Sequence, residues 1–287
     1  MNILITGANG GYGTYVLDFL KNYDIKNKNI ICLVRSEEKG KKILEKGFKI
    51  RIGDYSKQDT MKEALKGIDT LLLISTSTSG VHKNVIDAAK ENGVKYIVYT
   101  SLYGLDYPKF NLEKNHKETE ELIKKSGIKH TFLRNNWYLE LIFPFLEVCK
   151  KTKKFWYFCG NKKISWILKK DLAEVGAKVI MDGCDKEILN LANKPISFKE
   201  LGEELIKAIN EQIEIKEVSK NEYKEWIKTS DISKLGLYLT ETYQDYLLAG
   251  NNGEEDATSE DMESIIQHPV TPYSEAIKYL FEHGNCY

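Results

Sequence analysis

Short apolar runs alternate with amphipathic stretches through the first half of the chain. Ile3 to Thr6 is an apolar run that stops at a glycine, and Tyr12, Val16, Leu17 and Leu20 then recur at helical spacing. Further runs follow at Asn29 to Val34, Phe48 to Ile52, Thr70 to Ser75, Tyr96 to Thr100 and Lys129 to Arg134. Between them lie helical patterns over Glu37 to Lys46, Thr60 to Leu65, Val81 to Ala89 and Leu112 to Lys125. Strand and helix patterns in alternation predict a doubly wound parallel sheet, because strands covered on both faces become nearly continuous apolar runs.

After Arg134 the regularity fails. Aromatics crowd between Trp137 and Trp166, and Phe155 to Tyr157 reads as part of a packed hairpin. Lys186 to Ala192 predicts one more core strand, and Ser197 with Glu200 predicts a capping box opening a helix to Ile209. Asn251 to Asp261 is polar and acidic and reads as a loop before a last short helix. The expected plan is α/β: a nucleotide domain over 1–150 and a smaller carboxy-terminal α/β lobe over 151–287. That lobe is expected to wall a cleft and to send one or more segments back to the first domain.

Composition narrows the classes. The 287 residues carry 42 basic and 42 acidic side chains, so the basic excess of a dedicated nucleic-acid binder is missing. The opening lacks the basic region and long apolar core of a secretory leader, and no run is long and apolar enough for a membrane span. The five cysteines (Cys32, Cys149, Cys159, Cys184 and Cys286) and five histidines are scattered, which predicts reduced thiols, a cytoplasmic location and no metal site.

The candidate chemistry begins in Gly7-Ala8-Asn9-Gly10-Gly11-Tyr12-Gly13, directly after the first strand. Glycines there let backbone N–H groups face a pyrophosphate at a helix start and let the helix approach the sheet. Arg35 ends the second strand, where a carboxylate would bind ribose hydroxyls and an arginine suits a 2′-phosphate. The alternative is a solvated arginine at a strand end. The expected cofactor is NADP(H), with Ser36, Lys39 and Lys41 as further donors. Asp54 is placed to accept from an adenine amino group or to cap its own turn, with Tyr55 on an apolar edge. Ser75, Thr76, Thr100 and Ser101 end the fourth and fifth strands, at the ligand edge of such a sheet.

No tyrosine has a lysine four residues on, so the Tyr-x-x-x-Lys pair of alcohol–ketone dehydrogenases is absent. His116 and Glu120 can share a helix face, with His116 placed to hydrogen-bond a substrate oxygen or to shuttle a proton near neutral pH, and Lys117 directed at a cofactor ribose or phosphate. A charged surface helix is the competing reading. Asn135, Asn136, Trp137 and Tyr138 follow the sixth strand, where a backbone turn would meet a nicotinamide and an aromatic would wall a flat substrate. Packing of the lobe explains those aromatics equally well.

Eight pieces of sequence, in order, carry a family likeness: "ITGANGGYG", "LVRSEEKG", "GDYSK", "LLLISTS", "HKNVIDAAKENGVKYIVYTSLYG", "HKETEELIKKSGIKHTFLRNNWYLE", "KKDLAEVGA" and "TPYSEAIK". The chain resembles the NmrA-like branch of atypical short-chain dehydrogenases, and within it the NADPH:quinone oxidoreductase type 2 group. The resemblance implies a Rossmann core with a smaller lobe, and hydride transfer from NADPH to quinones without bound flavin; a reductase of another small, flat aromatic substrate is a separate alternative. It implies pyrophosphate on Gly7, Gly10 and Gly13, the 2′-phosphate on Arg35, and Ser75 along the cofactor. His116 and Lys117 would face the nicotinamide, with Asn135, Asn136 and Trp137 in the turn beside it. Asn136 stands where the family often has glycine, and the segment from Ser77 to Gly80 is short. The rival within the resemblance is a dinucleotide sensor that binds a regulatory partner and turns nothing over. Monomer and homodimer are both open.

Overall fold

In a computed structural model of the chain, which describes residues 1–23 and 28–284, twelve α-helices and thirteen strands are seen among the described residues. The first half runs β1 (Asn2–Ile5), α1 (Gly11–Leu20), β2 (Asn29–Val34), α2 (Glu37–Glu45), β3 (Lys49–Ile52), α3 (Gln58–Ala64), β4 (Thr70–Leu73), α4 (His82–Glu91), β5 (Tyr96–Leu102), α5 (Leu112–Ser126) and β6 (Lys129–Asn135). It continues with β7 (Trp137–Tyr138), α6 (Phe143–Thr152), β8 (Lys154–Tyr157), β9 (Lys163–Ile164), β10 (Trp166–Ile167), α7 (Lys169–Asp182) and β11 (Ile188–Leu191). The remainder is β12 (Ile196–Ser197), α8 (Phe198–Ile209), β13 (Glu214–Glu217), α9 (Lys220–Lys228), α10 (Lys234–Ala249), α11 (Glu260–Ile266) and α12 (Tyr273–His283).

The chain divides into two compact units. The first comprises Met1–Asn135, Lys170–Leu191 and Asp261–His268. It holds a seven-stranded parallel sheet in the order β11-β6-β5-β4-β1-β2-β3. β1 pairs β2 on one side, Ile3 opposite Ile30, and β4 on the other, Ile3 opposite Thr70. Successive strands thus build outward from β1 to β3, then restart at β4 and build the other way. That reversal is the Rossmann arrangement, and it leaves a crevice beyond the carboxyl ends of β1 and β4. Leu4, Leu71, Leu73, Ile97 and Phe132 are buried in the core on one face, against Val85, Ala88 and Ala89 of α4 and Ile123 of α5.

The second unit comprises Asn136–Lys169, Ala192–Glu260 and Pro269–Tyr287. The division falls at Asn135 rather than near residue 150. Ser197 makes the expected capping box with Glu200 at the start of α8. Phe155 to Tyr157 is not in a hairpin. β8 pairs in parallel with β13, Phe155 opposite Ile215, and a parallel pair needs the crossover that α8 supplies. The aromatics fill the space beneath that crossover, with Phe155 5.0 Å from Phe145 and 6.3 Å from Phe198 between ring centres. Two helices, not one, follow the acidic segment. Cys32, Cys149, Cys159 and Cys184 are free thiols, and Cys286 lies outside the described residues. Among the described residues, no helix is long and apolar enough to cross a membrane.

Candidate functional site

The turn from β1 to α1 is built by glycines with different tasks. Gly7 has φ +60, a left-handed conformation that side chains disfavour. Gly13 lies in the first turn of α1, and a Cβ there would sit 2.6 Å from the Ala8 Cα and against the Gly7 carbonyl oxygen. The turn is therefore folded down onto its own helix. The first intrahelical bond runs from the Thr14 N–H to the Gly10 carbonyl at 2.9 Å, so the amides of Gly11, Tyr12 and Gly13 open the helix. No acidic side chain stands in that first turn. The Tyr12 side chain turns the other way, is buried, and donates to the Leu172 carbonyl at 3.0 Å.

A cavity of about 840 Å³ opens over this turn at the switch point of the sheet. Of the expected residues, Gly7, Asn9, Gly10, Arg35, Asp54, Tyr55, Ser75 and Thr76 line it. Asn9 Nδ2 donates to the Lys39 carbonyl, which ties the glycine turn to α2. Arg35 and Lys39 bring two cations to one end of the cavity, both exposed. Among the described residues the Arg35 guanidinium has no hydrogen-bond or ion-pair partner. Asp54 caps its own turn, its Oδ1 accepting from the Ser56 N–H and hydroxyl at 2.9 and 2.8 Å, and it also lines the cavity. Those two bonds lower its pKa. Tyr55 donates to the Ile74 carbonyl at 2.9 Å, and burial raises its phenol pKa. Ile74, Thr78 and Val81 also line the cavity and were not singled out from the sequence. Position just past β4 was the available signal.

The remaining expected residues lie elsewhere. Thr100 is buried and its Oγ1 accepts from the Ser75 N–H at 2.8 Å, so it supports the lining without reaching it. Ser101 donates to Glu120 at 2.6 Å, and Arg134 grips the same carboxylate with two bonds of 3.0 and 2.7 Å. Glu120 is thereby committed inward, not paired with His116 on a helix face. His116 Nδ1 instead meets the Tyr99 hydroxyl at 2.9 Å. Burial pulls His116 down to about 4, only partly opposed by the Glu120 charge. That shift favours the neutral imidazole near neutral pH. Lys117 is half exposed and 3.8 Å from Asp106, at the solvent side of α5. Asn135 ends β6, is 4% exposed, and both polar atoms of its amide lack a partner among the described residues.

Asn136 and Trp137 belong to the second unit. Asn136 does not take the left-handed conformation that a family glycine would allow. Its Oδ1 accepts from the Trp137 N–H at 2.8 Å and its Nδ2 donates to Glu254 at 3.0 Å. Trp137 Nε1 donates to the same carboxylate at 2.8 Å, and its ring meets Tyr243 edge-on at 5.3 Å. Glu254 is fully buried, accepting also from the Tyr246 hydroxyl at 2.9 Å. It stands in the acidic segment that reads as solvated loop, and nothing in its neighbourhood of Glu and Asp distinguishes it.

Comparison with known proteins adds relatives. A protein-family profile described as NAD(P)H-binding matches residues 7–143. Quinone oxidoreductase 2 of Escherichia coli (strain K12) is 31% identical over 99% of this chain and 100% of its own length. The crystal structure of an NADPH-dependent quinone oxidoreductase from Escherichia coli, complexed with NADPH, superposes with a TM-score of 0.82 at 32% identity, covering 97% of this chain and 99% of that one. A triphenylmethane reductase from Citrobacter sp. gives 0.85 at 26% identity, covering 98% and 100%.

Proposed function

Since this chain belongs to the NmrA-like family that includes quinone oxidoreductase 2, we propose that it reduces quinones by direct hydride transfer from NADPH, without a bound flavin. Oxidoreductase is its family-level activity class and NADP(H) is its cofactor. The residues fit that cofactor. The turn that a Cβ at Gly13 would disrupt leaves the helix N-terminus open to a pyrophosphate. The unpaired Arg35, with Lys39, matches a 2′-phosphate at the adenosine end. This pairing of glycine turn and exposed cation at the switch point is the observation that carries the reading.

When bound, the cofactor supplies the hydride. The protein's share is to hold the rings in line, since proximity provides much of the gain. Charge grows on the quinone oxygen as reduction proceeds, and a neutral N–H from His116 is our candidate to stabilise it. The amide of Asn135, buried with donor and acceptor both unused, is the second group we assign to the reacting end.

The test is NADPH oxidation by flavin-free protein with a small quinone, NADH serving as the matched control. Quinone-dependent turnover favouring NADPH is expected. Saturable NADPH binding with no turnover on quinones or triphenylmethane dyes would move the protein to the sensor reading.

A further inference from the structure

The loop between β4 and α4 forms one wall of the cavity through Ser75, Thr76, Thr78 and Val81. Its outer part, Ser77 to Gly80, is exposed. Such a segment would be free to move unless something inside the unit held it. Thr76 is where it is held. Its backbone N–H donates to His82 Nε2 at 3.2 Å, and its carbonyl accepts from Asn115 Nδ2 at 3.1 Å.

The other side of His82 explains why the ring can do this. His82 Nδ1 lies 3.0 Å from Thr119 Oγ1, and that hydroxyl already donates to the Asn115 carbonyl at 2.8 Å. Thr119 can therefore only accept from His82. The proton must sit on Nδ1, which leaves Nε2 as an acceptor aimed at Thr76. The ring is 1% exposed, with Tyr55 at 5.9 Å and Tyr99 at 5.7 Å between ring centres. His82 starts α4, while Asn115 and Thr119 lie one turn apart on α5.

We propose that His82 and Asn115 form a two-sided clamp on the Thr76 backbone, one on its N–H and one on its carbonyl, that holds the β4–α4 loop in the shape NADP(H) requires, which makes His82 a positioning residue for the cofactor. This rests on the cavity being the NADP(H) site. The clamp also ties that loop to α5, the helix that carries His116.

The experiment measures NADP⁺ dissociation constants and, in the unliganded protein, amide hydrogen exchange at Thr76. It compares the wild type with His82→Phe, His82→Gln and Asn115→Ala. Phenylalanine fills the site without an acceptor, whereas glutamine can place its amide oxygen near the Nε2 position. Asn115 is partly buried on a helix, where alanine is the best helix former, so Asn115→Ala keeps the fold even if His82→Phe does not. We expect His82→Phe to speed Thr76 exchange and weaken NADP⁺ binding by about tenfold, the worth of one lost buried hydrogen bond. Asn115→Ala should act in the same direction by about threefold, and His82→Gln should stay within about threefold of wild type. Unchanged exchange at Thr76 in Asn115→Ala and in folded His82→Phe would overturn the clamp. So would faster exchange with unaltered NADP⁺ binding, or a His82→Gln protein as impaired as His82→Phe. If the wild type fails to bind NADP⁺ saturably, the assignment of the cavity falls. The exchange data still judge the clamp itself.

Discussion

Arg35 lines the cavity with no hydrogen-bond or ion-pair partner among the described residues, so its guanidinium is the group most easily removed without harming the fold. Arg35→Ser should weaken NADPH binding by roughly 10- to 100-fold, the range for charge-assisted hydrogen bonds of about 1.5–3 kcal/mol. NADH binding should change little, and titration with both nucleotides reads the difference. His116 makes a separate prediction. His116→Ala should lower quinone turnover by about tenfold or more while sparing NADPH affinity. Because burial holds the imidazole near 4, it stays neutral as pH falls until that region. The kcat profile should therefore show no inflection from His116 between about pH 5.5 and 8. An inflection near the ordinary histidine value that vanishes in His116→Ala would restore it as a charged shuttle.

At the scale of elements, strands and helices were legible because buried parallel strands write themselves as apolar runs. β1 to β6 and the returning strand β11 lie where the pattern predicts them, within a residue or two at the ends. The glycine turn was legible for the same reason: glycine is needed where a backbone doubles back, and its place after β1 is diagnostic. Gly13→Ala should cost about 1–3 kcal/mol as an overpacking change, read as a lower urea midpoint. Pairings between distant short strands were not legible, and β8 was assigned to the wrong kind of pair. Glu254 shows the same limit for side chains. A single buried carboxylate in a run of acids has no local signature, since its burial is decided by donors on Asn136, Trp137 and Tyr246. Glu254→Ala removes the acceptor that Asn136 and Trp137 share, while Tyr246 keeps the Asn252 carbonyl at 3.3 Å, and should destabilise the protein by at least about 2 kcal/mol, with Glu254→Gln milder.

For the molecule as a whole, two neutral histidines set a pH dependence. His82 and His116 are each lowered from 6.5 to about 4 by burial, and His116 adds to the shift of His82. Between those values the unfolded chain binds protons that the folded chain does not, so stability falls as pH falls. The contribution is complete above 6.5 and is lost progressively toward 4, at up to about 1.4 kcal/mol per pH unit per histidine. Thermal midpoints at pH 7 and pH 5 should differ accordingly, and His116→Gln should remove about half of that difference. No such gap at all would mean that the rings are hydrated in solution.

The last strand of the large sheet comes late. β11 pairs β6 with Leu191 opposite Asn135, and the whole second-unit stretch from Asn136 to Lys169 is synthesised in between. On the ribosome, β6 therefore emerges with one row of backbone groups unmatched, and it stays so until Ile188 to Leu191 has left the exit tunnel. Every nascent copy passes through a period in which that edge is open to pairing with other chains, so association is favoured before β11 arrives rather than after.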